Sequence, residues 1–164
     1  MKIVFDSSTL ILLSKIDLLR EVADNTTIII PEKVKSECLS KKSLDAILIT
    51  TLIKEQKIIV KMAGNNEAIK KIQRDFKIEA GEAEALWLAK RLDCAIAVDD
   101  GPTIKACKVI GLNFTTAIHF LLNIALYNRW NKSIALEKLE KLSVYGRYSK
   151  KIIEDATQRL KGGN

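Results

Sequence analysis

Acidic residues follow two of the apolar segments that the sequence marks as strands. Asp6 comes directly after the run Lys2 to Phe5. Asp99 and Asp100 come after the run Ala95 to Val98. Parallel sheets bind ligands beyond the carboxyl ends of their strands, so acids at these ends can meet although they are far apart in sequence. One aspartate at a strand end often only opens a turn or caps a helix, but three acids at two such ends indicate a site.

Two glutamates fall on the inward faces of predicted helices. At 100° per residue, Glu82 shares a face with apolar residues in the first turn of its helix, whereas Glu84 points to the opposite side. Glu37 lies three residues after Val34, on the inward side of its own helix. A carboxylate at the edge of a buried stripe needs a partner to offset its lost hydration. Either glutamate alone also fits a helix-dipole or ion-pair role.

Carboxylates that converge within a few ångströms repel one another unless protons or a cation neutralise them. A hard divalent ion such as Mg²⁺ or Mn²⁺ prefers oxygen ligands and readily accepts phosphate oxygens as further ligands. The candidate metal ligands are Asp6, Glu37, Glu82, Asp99 and Asp100. Ser7 and Ser8 suit two roles, since either could hold Asp6 or a metal-bound water in place and either could cap the helix that follows.

The elements that must position these acids alternate along the chain. Apolar runs predict strands over Lys2 to Phe5, Thr27 to Ile30, Ile58 to Val60, Ala95 to Val98 and Leu112 to Thr115. A first helix is predicted for the segment that carries Leu10, Leu13 and Leu18. Pro31 is predicted to be the first residue of the next helix. The predicted helices after the first cover residues 31–39, 43–55, 67–74, 81–92, 103–110, 116–128, 133–142 and 149–160. This alternation predicts an α/β fold with a mostly parallel central sheet flanked by helices.

Length, composition and charge limit the classes of protein. The 164 residues, 48% of them hydrophobic, are enough for one domain with a substantial core. Neither a membrane-spanning run nor a signal segment is evident, so we expect a cytoplasmic protein that does not enter a membrane. Three cysteines without a paired spacing indicate reduced, buried thiols. The net charge of +7 favours an anionic partner such as nucleic acid, although lysines scattered over helix surfaces give the same balance.

Taken together, these pieces resemble the PIN-domain nucleases. The matching segments are VFDSSTL, PEKVKSEC, GEAEALWLA, AVDDGPTIKACKVIGL and TTAIHFLL. The resemblance implies that the family's four acids are Asp6, Glu37, Glu82 and Asp100, with Asp99 as an accessory acid. It also implies a three-layer α/β/α domain over residues 1–164, with a core over about 1–126 and a helical C-terminal extension over about 127–160. The closest likeness is to a prokaryotic subgroup with a GExEA signature.

The resemblance implies a Mg²⁺- or Mn²⁺-dependent ribonuclease that leaves 5′-phosphate and 3′-hydroxyl ends. Such a chain would suit the toxin of a toxin–antitoxin pair, with a small antitoxin protein over the acidic cleft. A homodimer is also implied, and Leu12, Leu18 and Leu19 are candidates for its exposed apolar surface. Basic residues that could follow an RNA backbone, or simply form a solvated surface, are Lys132, Lys138, Lys141, Arg147 and Lys150.

Other readings of the sequence make different predictions. His119 is the only histidine, so cleavage of RNA by a pair of histidines is not available within one chain, and His119 itself is expected to pack in an apolar helix. A non-catalytic RNA-binding or adaptor module would keep the fold without turnover. A phosphoacceptor receiver domain fits poorly, because its acid pair should follow the first strand and here the pair comes late.

Overall fold

A five-stranded, fully parallel sheet forms the centre of the molecule. The computed structural model describes residues 1–40, 42–128 and 130–162. The strands are β1 (Lys2–Phe5), β2 (Thr27–Pro31), β3 (Ile58–Lys61), β4 (Ala95–Ala97) and β5 (Phe114–Thr115). Their order across the sheet is β3-β2-β1-β4-β5, so the chain reverses its direction of winding between β1 and β4. Such a reversal opens a crevice at the carboxyl ends of the two strands.

Helices flank this sheet, as the predicted three-layer α/β/α fold requires. They are α1 (Ser7–Lys15), α2 (Leu19–Asn25), α3 (Glu32–Leu39), α4 (Leu44–Lys54), α5 (Asn66–Phe76), α6 (Ala80–Leu92), α7 (Gly101–Ile110), α8 (Ala117–Tyr127), α9 (Lys132–Tyr145) and α10 (Lys150–Lys161). Helix α6 packs on β1, β2 and β4, while α9 and α10 pack against α8. The division into a core and a C-terminal extension stays a prediction.

The central strands β1 and β2 are largely buried because their residues are apolar on both faces, as expected of a parallel sheet covered by helices. Val4 and Phe5 of β1 and Ile28 and Ile30 of β2 are all fully buried. Phe5 stacks on Phe120 of α8 with ring centroids 5.4 Å apart, which fixes α8 against the central strand. In the register of β1 and β4, Phe5 lies beside Ala97, so the acids that follow these strands emerge next to each other.

Two local predictions about the helices are wrong. The segment that carries Leu10, Leu13 and Leu18 is not one helix, because α1 ends at Lys15 and α2 begins at Leu19. Asp17 adopts a left-handed conformation, with φ of 53°, and turns the chain there. Pro31 belongs to β2 and caps α3 with ψ of 162°, so the first helical residue is Glu32.

The apolar surface expected on the N-terminal helices is not exposed. Leu12 is 8% exposed, and Leu18 and Leu19 are fully buried, because the turn between α1 and α2 folds their side chains into the core. These three leucines therefore cannot form the exposed apolar surface that was predicted for a homodimer. His119 is exposed rather than packed, since α8 buries its neighbours Ile118 and Phe120 instead. No helix in the described part of the chain is long and apolar enough to span a membrane.

Candidate active site

Three of the four principal acids lie at helix N-termini that open onto the crevice. Asp6 is the N-cap of α1, and Asp100 is the N-cap of α7. Glu82 is the third residue of α6 and its Oε2 accepts a hydrogen bond of 2.8 Å from the backbone N–H of Glu79. Exposed N–H groups give a helix N-terminus a partial positive charge, which stabilises a nearby carboxylate. The fold thus brings carboxylates from distant segments to one edge of the sheet.

Two serines fix the position of Asp6, whose surface is only 1% exposed. The Ser8 hydroxyl donates to Asp6 Oδ2 at 2.6 Å, and the Ser7 backbone N–H donates to Asp6 Oδ1 at 2.6 Å. The Ser7 hydroxyl lies 3.4 Å from Asp6 Oδ1 and 3.1 Å from Glu37 Oε2. Ser7 therefore joins the acid at the end of β1 to the acid on α3, which lies thirty positions after Ser7 in the chain.

Glu37 reaches the site because Gly81 leaves space for its carboxylate. A Cβ atom at position 81 would lie 2.4 to 2.6 Å from the carboxylate atoms of Glu37, closer than real Cβ contacts. Helix α3 can therefore place its glutamate directly over Gly81 in the first turn of α6. The helical predictions for both segments were correct, but this close approach was not foreseen. The sequence placed Gly81 at the start of the predicted helix, where a glycine is ordinary, so it gave no signal of this contact.

Burial raises the pKa of three of these carboxyl groups, and neighbouring negative charges contribute in two of them. Burial raises the pKa of Glu82 to about 7, and the negative charges of Asp6 and Asp100 add to that effect. Burial also raises the pKa of Glu37, with a further contribution from Asp6, although the hydrogen bond from Ser7 opposes it. Burial raises the pKa of Asp6 against the hydrogen bonds from its serines. Within the described residues, no lysine or arginine forms an ion pair with any of these four acids.

Asp99 has a different set of contacts from its neighbour Asp100. Its Oδ2 accepts hydrogen bonds from the Thr9 hydroxyl at 2.7 Å and from the Ala117 backbone N–H at 3.0 Å, and its Oδ1 accepts one from the Tyr148 hydroxyl. Both carboxylate oxygens are thus engaged by protein donors. This favours a structural role for Asp99 beside the site, whereas its assignment as an accessory metal ligand stays a prediction.

Several residues of the site were not anticipated from the sequence. The hydroxyl and backbone N–H of Thr103 both donate to Asp100 Oδ2 at 3.0 Å, and Thr9 is fully buried against Asp99. Thr103 lies three residues after its cap, a spacing that could have identified it. Tyr148 lies 49 positions from Asp99, and no local pattern connects the two.

The oxygen atoms of these acids and serines are of the type that a hard cation binds, but their present arrangement does not form a metal-binding group. All are carboxylate or hydroxyl oxygens, and the mutual repulsion of the acids would be relieved by positive charge. Across residues 1–40, 42–128 and 130–162, however, no group of three or more His, Cys, Asp or Glu side chains is arranged to hold a metal ion. The charge of Asp6 contributes to the raised pKa of Glu37, and the charges of Asp6 and Asp100 contribute to that of Glu82, yet each carboxylate also accepts hydrogen bonds from its own cap or serine.

Most of the basic residues proposed to follow RNA have partners within the chain. Lys132 donates to the Lys161 carbonyl, Lys138 to the Ile16 carbonyl, Lys141 pairs with Glu137 and Lys150 pairs with Glu154. These contacts favour a solvated helix surface over a dedicated nucleic-acid interface. Arg147 is exposed and directly precedes Tyr148, whose hydroxyl contacts Asp99.

The parallel order of the strands and the acids at the reversal of winding define a doubly wound α/β protein with an acidic crevice. The sequence profile of a family described as a PIN domain matches residues 2–162, and the chain belongs to that family. This confirms the resemblance and makes the chain a member of a nuclease-type family whose domains typically bind nucleic acids. The GExEA subgroup stays a prediction. A comparison with curated proteins gave no match.

Proposed function

We propose that this chain is a ribonuclease that uses Mg²⁺ or Mn²⁺ to hydrolyse RNA phosphodiester bonds in the acidic crevice. The observation that carries the proposal is the meeting of Glu82 with Asp6 and Asp100 at the crevice. Burial, with a further contribution from the charges of those two aspartates, raises the pKa of Glu82 to about 7, and no lysine or arginine of the described chain forms an ion pair with it. A crevice with unmatched negative charge favours a divalent cation, and the membership of a nuclease-type family supplies the reaction class.

The side chains of the chain have separate tasks in this proposal. Asp6 and Asp100, each held at a helix N-terminus, would supply oxygens for the cation, and Glu37 and Glu82 would complete the set. When bound, a divalent ion supplies a water of lowered pKa and stabilises charge on the leaving oxygen. Glu82 holds its proton up to a pH of about 7, so it would release that proton when the cation binds. Ser7 and Ser8 keep the Asp6 carboxylate oriented throughout.

The chemistry of the chain favours this route over metal-free cleavage. Cleavage of RNA by a pair of histidines that act as acid and base is not available within one chain, because His119 is the only histidine. His119 is also exposed on α8. Products with 5′-phosphate and 3′-hydroxyl ends are part of the proposal.

The direct test incubates purified protein with single-stranded and structured RNA, with Mg²⁺ or Mn²⁺ and with chelator. The variants Asp6→Asn and Asp100→Asn should lose cleavage, while Glu84→Gln, on α6 but facing Lys33, should retain it. Cleavage that survives both the chelator and the aspartate variants would come from a contaminant and would remove the enzyme claim.

A non-catalytic RNA-binding or adaptor module is the second candidate. The observation that favours it is that the acids of the described chain are not gathered for a metal ion. In that case RNA binding would survive both aspartate variants, and no metal-dependent cleavage would be found.

The biological setting belongs to the same proposal and rests on the family likeness. It comprises a cytoplasmic homodimer that acts as the toxin of a toxin–antitoxin pair, with a small antitoxin protein as its partner. Light scattering of the purified chain tests the homodimer, and arrest of growth on expression, relieved by a co-expressed neighbouring reading frame, tests the toxin role.

A further inference from the structure

Tyr148 connects the C-terminal helices to the acidic crevice. It lies between α9 and α10, and its half-buried ring packs against the core of the molecule. Its hydroxyl donates a hydrogen bond to Asp99, the residue directly before Asp100. A hydrogen bond to a buried carboxylate is stronger than one between neutral groups, so it can hold the turn after β4 in place.

Asp99 is the point at which several elements meet. Thr9 reaches it from α1, the helix that Asp6 caps, and the Ala117 backbone N–H reaches it from the first residue of α8. The Asp6 backbone N–H in turn donates to the Ala97 carbonyl at 3.0 Å. The position of Asp100 relative to Asp6 therefore depends on how Asp99 is held. Of the three donors to Asp99, Tyr148 is the one that comes from the segment between α9 and α10.

The chain also keeps a space for the Tyr148 ring. A Cβ atom on Gly146 would lie 2.5 Å from Tyr148 Cε2 and 2.7 Å from Cδ2. The φ of Gly146 is −92°, which any residue can adopt, so the glycine is needed for room rather than for backbone freedom. The turn between α9 and α10 is thus shaped to bring this ring against Asp99.

We infer that Tyr148 is a positioning residue of the acidic site, which acts through Asp99 to fix the distance between Asp100 and Asp6. The inference rests on the proposed nuclease function. It means that the segment after α8 contributes a residue that positions the acids of the site. A tyrosine that only anchors the C-terminal helices would affect stability without changing turnover or metal affinity.

The test compares Tyr148→Phe with the wild type and with Tyr145→Phe, an exposed tyrosine three residues earlier in the chain. RNA cleavage gives kcat and KM, and calorimetric titration gives the affinity for Mn²⁺. We expect Tyr148→Phe to lower kcat about tenfold and to weaken Mn²⁺ binding several-fold at unchanged KM, since small displacements of catalytic groups have effects of this order. Tyr145→Phe should match the wild type. In an Asp99→Asn background, Tyr148→Phe should add little to the loss, because both changes break one contact.

Equal kcat and Mn²⁺ affinity for Tyr148→Phe and Tyr145→Phe would overturn the inference, as would full additivity with Asp99→Asn. If the wild type cleaves no RNA, the proposed function fails, and the Mn²⁺ titration still decides whether Tyr148 positions the acids. Should Tyr148→Phe not fold, Gly146→Ala keeps the hydroxyl but displaces the ring, and unchanged Mn²⁺ affinity in that variant would equally overturn the inference.

Discussion

Replacement of Glu82 by glutamine should stabilise the metal-free protein while it removes activity. The glutamine side chain keeps an oxygen that can accept the hydrogen bond from the Glu79 backbone, so the first turn of α6 stays capped. The substitution removes a charge that burial and two neighbouring aspartates disfavour. The same change removes one proposed ligand of the cation. Stability and activity should therefore move in opposite directions.

The magnitude follows from the pKa of this carboxyl group. A rise from 4.5 to about 7 corresponds to about 3 kcal/mol at high pH, and solvent screening of a half-buried group reduces this to roughly 1 to 2 kcal/mol. The folded carboxyl keeps its proton to a higher pH than the unfolded one, so the wild type loses stability as pH rises from 4.5 to 7. The gain from Glu82→Gln is then absent below pH 4.5 and complete above pH 7.

Thermal unfolding in chelator at pH 4.5 and pH 8 measures this effect. At pH 8 the variant should melt about 3 to 6 °C higher than the wild type, and at pH 4.5 the two should coincide. Mn²⁺ should raise the melting temperature of the wild type more than that of the variant. Glu84→Gln, two residues along the same helix, is the matched control and should show neither change. Equal melting temperatures for Glu82→Gln and wild type at pH 8 would refute the raised pKa of Glu82.

Three further predictions concern the groups around these acids. Gly81→Ala should reduce cleavage at least tenfold, because the added Cβ displaces the Glu37 carboxylate. In a melting experiment it should change stability by less than about 1 kcal/mol, since alanine favours the helix. Unchanged cleavage would contradict this prediction. Ser7→Ala removes the hydroxyl between Asp6 and Glu37, so it should lower the free energy of unfolding in urea by about 1 kcal/mol and raise the Mn²⁺ concentration needed for half-maximal cleavage. That Mn²⁺ concentration should also fall for the wild type as pH rises through about 7, where Glu82 loses its proton, and a pH-independent value would contradict the account.

Much of the fold could be read from local patterns. The strand over Lys2 to Phe5 was predicted with its observed bounds, because an apolar run ends there at a polar turn that caps the next helix. The turn at Asp17 was missed, since a left-handed aspartate is selected by the packing of Leu18 and Leu19 into the core and not by its own propensity. Local periodicity cannot show which helix faces return to the sheet.

The acids were identified from their places at strand ends and helix faces, but the contacts that arrange them were not. The approach of Glu37 to Gly81 joins two helices separated by more than forty residues. The hydrogen bond from Tyr148 to Asp99 depends on where the C-terminal helices pack. Both contacts arise from tertiary packing, which leaves no periodic trace in the sequence.

The most direct test of the proposed site is a titration of Mn²⁺ followed by electron paramagnetic resonance, in which the signal of the free ion falls when the ion binds. Wild-type protein should remove free Mn²⁺ from solution, and Asp6→Asn combined with Asp100→Asn should leave it free. Mn²⁺ binding of equal affinity in that double variant, or none in the wild type, would contradict the claim that these carboxylates together hold a divalent cation.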